Sequence, residues 1–151
     1  MEIKIKKLHP DAKIPEYATD GSGAFDLFCV QGDMPYGSHT LYSSTTKAFK
    51  TGLAFEIPKD HVMLVFSRSG HGFKHDTRLA NCVGVIDSDY RGELMVKLSK
   101  DPRDTAAVTI KEHDAIAQAM IIKAEQVKFK VVDDLSDTER GEGGFGSTDK
   151  A

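Results

Sequence analysis

Apolar residues recur at every second position, or cluster in short runs, over residues 2–8, 51–57, 62–66, 94–98, 116–122 and 127–132. A period of two is the signature of a β-strand, whose successive side chains point to opposite faces, so each stretch is predicted as a strand. Turn formers separate them, at Asp20-Gly21-Ser22-Gly23, Gln31-Gly32-Asp33, Pro58-Lys59-Asp60 and Asp101-Pro102-Arg103-Asp104. Short strands punctuated by turns every ten residues or so point to an all-β sandwich or barrel. Only two places favour a helix, both brief: residues 70–74 and a single turn at 111–113. There is no internal repeat.

From residue 133 onward the apolar residues thin out and the chain turns acidic, then glycine-rich. Such a segment cannot bury enough apolar surface to build a core. Two readings stand: a disordered terminus, or a flap that closes over an anionic, aromatic ligand with Arg140 and Phe145 set among glycines and hydroxyls. The sequence thus divides into a β-barrel domain, residues 1–132, and a C-terminal arm, residues 133–151.

Composition narrows the function. A chain of 151 residues, 40% hydrophobic and 28% charged, suits one globular domain. Its longest apolar run, residues 62–66, is far short of the roughly 20 residues that span a bilayer, so no membrane segment or secretory leader is expected. Twenty basic against twenty-three acidic residues give a net charge of −3 and exclude the broad basic footprint of a nucleic-acid binder. Cys29 and Cys82 have no CxxC spacing and sit in apolar runs, which predicts small core residues in a reduced, cytoplasmic setting.

Several short motifs carry candidate chemistry. Gly141 to Gly146 formally matches GxGxxG, but it opens no helix of a βαβ unit and only five residues follow it. Ser147 after Gly146 likewise excludes a Walker loop, leaving an anion-binding nest of backbone amides beside Arg140. Ser67-Arg68-Ser69-Gly70 follows a hydrophobic strand and precedes the first candidate helix, a place where phosphate binds; an ordinary cap, with Arg68 exposed or paired to a carboxylate, is equally compatible. Val85 to Gly92 places Asp87, Asp89, Tyr90 and Arg91 in one turn between apolar stretches. Asp87, directly after the apolar run, is expected to be partly buried and suited to general-base work.

Asp26 and Gln118 are single polar residues inside apolar stretches, and each requires a hydrogen-bond partner. His71 and His75 are four apart, yet Gly72 lies between them and no third ligand is evident, so no metal site is assigned. His9, His39, His61 and His113 lie beside turns and are expected to be exposed.

Taken jointly, these signals resemble the five motifs of trimeric dUTP diphosphatases (dUTPases), in order and spacing, from Ser22 to Thr148. The first is Gly21-Ser22-Gly23-Ala24-Phe25-Asp26-Leu27, the second Ser67-Arg68-Ser69-Gly70, and the third runs from Asn81 through Gly92 to Met95. The fourth is His113-Asp114-Ala115-Ile116-Ala117-Gln118, and the fifth runs from Arg140 through Phe145 to Thr148.

The resemblance implies a jelly-roll-like distorted barrel in a homotrimer, with active sites shared between subunits and closed by the arm of another subunit. It implies hydrolysis of dUTP to dUMP and pyrophosphate, which keeps uracil out of DNA and supplies dUMP for thymidylate synthesis, with Mg²⁺ held on the triphosphate. By the same resemblance, Asp87 activates the water that attacks the α-phosphorus, and Tyr90 packs beneath the sugar and excludes a ribose 2′-hydroxyl. Asn81 and the backbone near Met95 read the uracil edge. Arg68, Ser69, Gly70 and Gln118 contact the phosphates or position the water, and Asp26 meets Mg²⁺ through water. Arg140, Gly146, Ser147 and Thr148 clamp the γ-phosphate while Phe145 stacks on uracil.

The chain departs from the family pattern at Ser67, usually proline; at His113 and Ala115, usually glycine and arginine; at Asp149, often glycine; and at His71, commonly apolar. Two alternatives share the scaffold. One is a dCTP deaminase-like enzyme, which has a glutamate where this hairpin offers Asp87 with Tyr90. The other is a nucleotide-gated binding protein that responds to dUTP by switching a regulatory protein partner.

Overall fold

The structure is a computed structural model that describes residues 1–30 and 35–144. Twelve strands form four small antiparallel sheets arranged as a distorted jelly roll. The largest has the order β2-β3-β12-β7-β9: β2 Glu16–Tyr17, β3 Phe25–Phe28, β12 Ala115–Lys123, β7 His61–Phe66 and β9 Gly84–Ile86. A second has the order β5-β10-β8, from β5 Thr46–Lys50, β10 Met95–Lys100 and β8 Thr77–Leu79. The pairs β4 Ser38–Leu41 with β11 Val108–Lys111, and β1 Lys4–Lys7 with β6 Leu53–Glu56, complete the set. One helix, α1 Ser69–His75, falls where the sequence predicts it.

The inward faces meet in a single core that includes Leu27, Leu41, Met63, Leu98, Ile110, Ile116 and Ala119. Burying each large side chain of this kind contributes about 1.5–3 kcal/mol. The pleat of β10 alternates so strictly that it turns Val96, Leu98 and then Lys100 inward. Lys100 is tolerated there because its Nζ bonds the Asp104 carboxylate and donates to the His75 carbonyl at 2.7 Å. A buried ammonium without such partners would be costly. This bond ties the loop after β10 to the C-terminal end of α1.

A register shift between Ala115 and Ala117 decides which face of β12 carries the chemistry. It lets Ile116 and Ala117 both enter the core, after which Gln118 turns outward. Gln118 then stands opposite Asp26 on β3 and Phe66 on β7, so the carboxylate and the carboxamide share one face.

Several sequence expectations about the fold need correction. Residues 127–132 form no strand: beyond Ala124, whose N–H donates to Asp60 O at 2.8 Å, no strand edge among the described residues pairs with them. Val127, Phe129 and Val131 are left 67%, 94% and 96% exposed. Residues 111–113 close a tight turn instead of a helical one, because the Lys111 N–H is taken by Asp114 Oδ2 at 2.7 Å and His113 adopts a φ of 65°. Cys82 is exposed, since it sits in the turn before β9 at a φ of 62°, whereas Cys29 is buried as expected. Of the histidines expected at the surface, His113 is exposed, whereas His9, His39 and His61 are partly buried. The Cys29 thiol donates to Lys111 O, and burial, helped by Asp114, pushes its pKa up to about 11.

Candidate active site

One group of site residues gathers where β7 runs into α1. Arg68 grips Asp26 with two bonds, Nε to Oδ1 at 3.0 Å and Nη2 to Oδ2 at 3.2 Å, and Nη1 donates to Ala115 O at 3.2 Å. Of the two readings of Arg68, the carboxylate pairing is the one formed. Three of the guanidinium's five N–H groups are thereby committed, and the others remain to meet an anion. Gln118 Nε2 donates to Ser67 O at 3.0 Å, which leaves its Oε1 as the acceptor facing outward. Ser67 Oγ in turn accepts the Leu79 N–H at 2.9 Å, locking the end of β7 to β8. A cleft of about 480 Å³ opens here, lined by Ser22, Gly23, Asp26, Arg68, Ser69, Gly70 and Gln118.

His71 follows on α1 and is half-buried, with Nδ1 enclosed and without a hydrogen-bond partner. Its pKa lies below the ordinary imidazole value, chiefly because burial disfavours the cation and further because Arg68 and His75 repel it, with Asp114 opposing. A neutral ring can occupy a place that suits an apolar side chain.

The second group surrounds the hairpin between β9 and β10. A cleft of about 440 Å³ is lined by Asn81, Gly84, Ile86 and Met95, with Val65, Leu79 and Leu94 supplying apolar walls. Gly84 packs closely on β7: a Cβ there would lie 3.1 Å from Val65 Cβ and would press on that side chain. The turn beyond β9 is fastened by its own residues: Tyr90 N–H donates to Asp87 O at 3.2 Å, and Arg91 Nη1 donates to Ser88 O at 2.7 Å and to Tyr90 O at 3.0 Å. Glu93 anchors the return strand by accepting the Gly52 N–H at 2.9 Å. Asp87 is exposed, not partly buried, because it comes one residue past the end of β9 and faces a groove of about 920 Å³ with Lys59, His61 and Arg91.

These two groups lie apart in the chain. The register pairs Gln118 with Phe66 and Ile86 with Met63, which puts Asp87 beside Val62, at the far end of β7 and across it. Strand spacing and rise then separate Gln118 from Asp87 by about 17 Å. The third group, the arm, is described only as far as Gly144. Arg140 Nε donates to Gly143 O at 2.7 Å, curling the segment on itself around Gly141 at a φ of 52°. Phe145, Gly146, Ser147 and Thr148 lie outside the described residues.

A family model described as dUTPase matches residues 10–149. The chain is 43% identical over 150 residues to the deoxyuridine 5′-triphosphate nucleotidohydrolase of Nautilia profundicola, covering 99% of this chain and 100% of that one. It is 36% identical over 148 residues to the enzyme of the same name from Helicobacter pylori, covering 98% and 97%. The chain belongs to the dUTPase family. Its fold is also that of the dUTPase from Staphylococcus bacteriophage 80alpha solved with dUPNHPP, at a TM-score of 0.82, 25% identity and 97% coverage of each chain. A dUTPase variant from phage phi11 of S. aureus, described for its coordination of a structural Mg(II) ion, matches at a TM-score of 0.76 and 20% identity, over 91% of this chain and all of that one.

As a dUTPase, the chain accounts for two of its departures, at Ser67 and His113, whereas Asp149 lies outside the described residues. Where the family usually has proline, Ser67 uses its hydroxyl to lock β8 and its carbonyl to orient Gln118. Where glycine is usual, His113 takes the left-handed conformation and is held by a bond from Nε2 to Asp11 O at 2.8 Å. Ala115 offers its carbonyl to Arg68. Ser67 and the Arg91 latch are the positioning groups that sequence reasoning missed, and the only advance signal was the serine standing in place of proline.

Proposed function

We propose that the protein hydrolyses dUTP to dUMP and pyrophosphate by attack of water on the α-phosphorus. The observation that carries this reading is the pair of unlike clefts in one dUTPase chain. One is apolar-walled, carries the Asn81 amide and is sized for a pyrimidine nucleoside, and the other carries Arg68, Ser69 and Gln118 for a polyphosphate. In this scheme Asn81 and the Met95 backbone pair with the uracil edge, and Tyr90 lies under the deoxyribose. A site built to hydrogen-bond one base rejects others strongly, because mismatched groups would be buried unpaired. Asp87 takes the proton of the attacking water, and Gln118 Oε1 holds that water or a phosphate contact. Arg140, Gly146, Ser147 and Thr148 would close on the γ-phosphate with Phe145 over the base, orienting the substrate and excluding bulk water.

The separation of Asp87 from Gln118 supports a shared site, in which one copy supplies the nucleoside cleft and another the phosphate cleft, as in a homotrimer. The exposed Val127, Phe129 and Val131, and an uncovered apolar groove of about 470 Å³ that includes Ile3, Ile5, Phe25 and Phe55, favour association of copies.

Among the described residues there is no cluster of three or more His, Cys, Asp or Glu that could hold a metal. The donors present fit a Mg²⁺ that arrives on the triphosphate and keeps its water shell, with Asp26 meeting that shell. When bound, the ion would neutralise phosphate charge. No helix among the described residues is long and apolar enough to cross a membrane; the proposed place of action is the cytoplasm, where the free nucleotide is found.

The test is pyrophosphate release from dUTP, dCTP, dTTP and UTP with Mg²⁺. Release confined to dUTP supports the proposal. Ammonia from dCTP would point to the deaminase reading, and binding without turnover to the nucleotide-gated partner reading.

A further inference from the structure

Gly92 sits two residues after Tyr90, and its lack of a side chain has a specific cause. A Cβ built on it would lie 2.6 Å from Tyr90 Cζ and 2.9 Å from Cε2, inside any real carbon contact. Backbone conformation does not call for glycine here, because the positive-φ glycines among the described residues are Gly37, Gly52 and Gly141. What fills the space is the Tyr90 ring.

That ring is not free to move aside. Its hydroxyl donates to Glu93 O at 3.1 Å, and the backbone that carries it is fixed by the Tyr90 N–H to Asp87 O and by Arg91 on the Tyr90 carbonyl. The hydroxyl end and the Cε2 edge of the ring therefore lie against Gly92, and the residue as a whole remains 46% exposed.

We infer that Gly92 is a specificity-determining positioning residue: it lets the Tyr90 ring lie low enough to admit a deoxyribose, and the seated ring leaves no room for a 2′-hydroxyl. This rests on the proposed dUTP hydrolysis for its consequence, though not for its geometry. A methyl at position 92 would lift or rotate the ring and break its bond to Glu93 O. The deoxyribose would lose its platform, and the surface that discriminates it from ribose would lose its shape.

The test compares Gly92→Ala, Tyr90→Ala and the double variant, reading kcat/KM for dUTP and for UTP. Gly92→Ala is expected to lower the preference for dUTP over UTP at least tenfold. The effect is expected to be non-additive, since without the ring the methyl has nothing to displace. An unchanged preference, or an equal loss in the Tyr90→Ala background, would overturn the inference. A separate readout needs no turnover: an aromatic ring against Gly92 displaces its Hα resonances by ring current, and Tyr90→Ala should return them. Unshifted Hα resonances would overturn the contact itself, whereas a wild-type chain inert toward dUTP but carrying the shift would overturn only the proposed reaction and the specificity drawn from it.

Discussion

The guanidinium of Arg68, just past the end of β7, meets both carboxylate oxygens of Asp26 on β3, at 3.0 and 3.2 Å, with β12 lying between the two strands. Because Asp26 also stands opposite Gln118, the pair holds the cation beside the outward-facing carboxamide. Asp26→Asn removes a charge from a bidentate, partly exposed pair. We expect a stability loss of about 1 kcal/mol, together with at least a tenfold lower kcat/KM for dUTP, since Arg68 loses its brace. Urea unfolding and pyrophosphate assays on the same preparation check both parts.

Asp87 is exposed and faces an open groove. Asp87→Asn should accordingly unfold at nearly the wild-type temperature and bind a non-hydrolysable dUTP analogue with similar affinity, while turnover falls at least a hundredfold. General-base removal has effects of about 10²–10⁴. Retained turnover would remove Asp87 from the mechanism.

His71 makes stability depend on pH in a defined direction. Its folded-state pKa is depressed by burial and by Arg68 and His75. The unfolded chain therefore binds the proton first, so stability is complete above the ordinary value of 6.5 and falls as pH drops below it. Replacing the ring by leucine should flatten the melting-temperature profile between pH 7 and pH 5. The carboxylates with lowered pKa, such as Asp101 at about 2 beside Arg103, act in a separate and more acidic window.

At His113 the backbone has a φ of 65°, a conformation that disfavours side chains, and the imidazole offsets part of that cost through Asp11 O. His113→Gly relieves the strain and loses the bond, so its stability should stay within about 1 kcal/mol of wild type. His113→Val loses the bond and adds a branched side chain, and should cost at least about 2 kcal/mol. Equal behaviour of the two variants in urea would show that the turn is not strained.

The strands were legible because burial on one face writes itself into the sequence at period two; residues 62–66 and 116–122 lie within strands, and 94–98 does so from Met95 onward. The same signal misled at 127–132, since it reports which residues want cover and not whether the chain itself provides it. The residue types of the site were legible as motifs, whereas their separation was not. It depends on the register that sets Gln118 against Phe66 and Ile86 against Met63, and register has no local signature. Cys82 looked like a core residue because its neighbours are apolar, yet the turn reverses it outward. Ser67 looked like a defect in a motif, and its two hydrogen bonds were invisible until Leu79 and Gln118 came beside it.

The distance between Asp87 and Gln118 has a genetic counterpart. If each site draws these residues from different copies, two dead alleles need not be dead together. Chains lacking the Asp87 carboxylate, mixed and reassembled with chains lacking the Gln118 carboxamide, would place an intact Asp87 from one parent against an intact Gln118 from the other in about a quarter of the sites. Neither parent could do so alone, so activity would appear only on mixing. The heritable unit of function would then be the seam between copies.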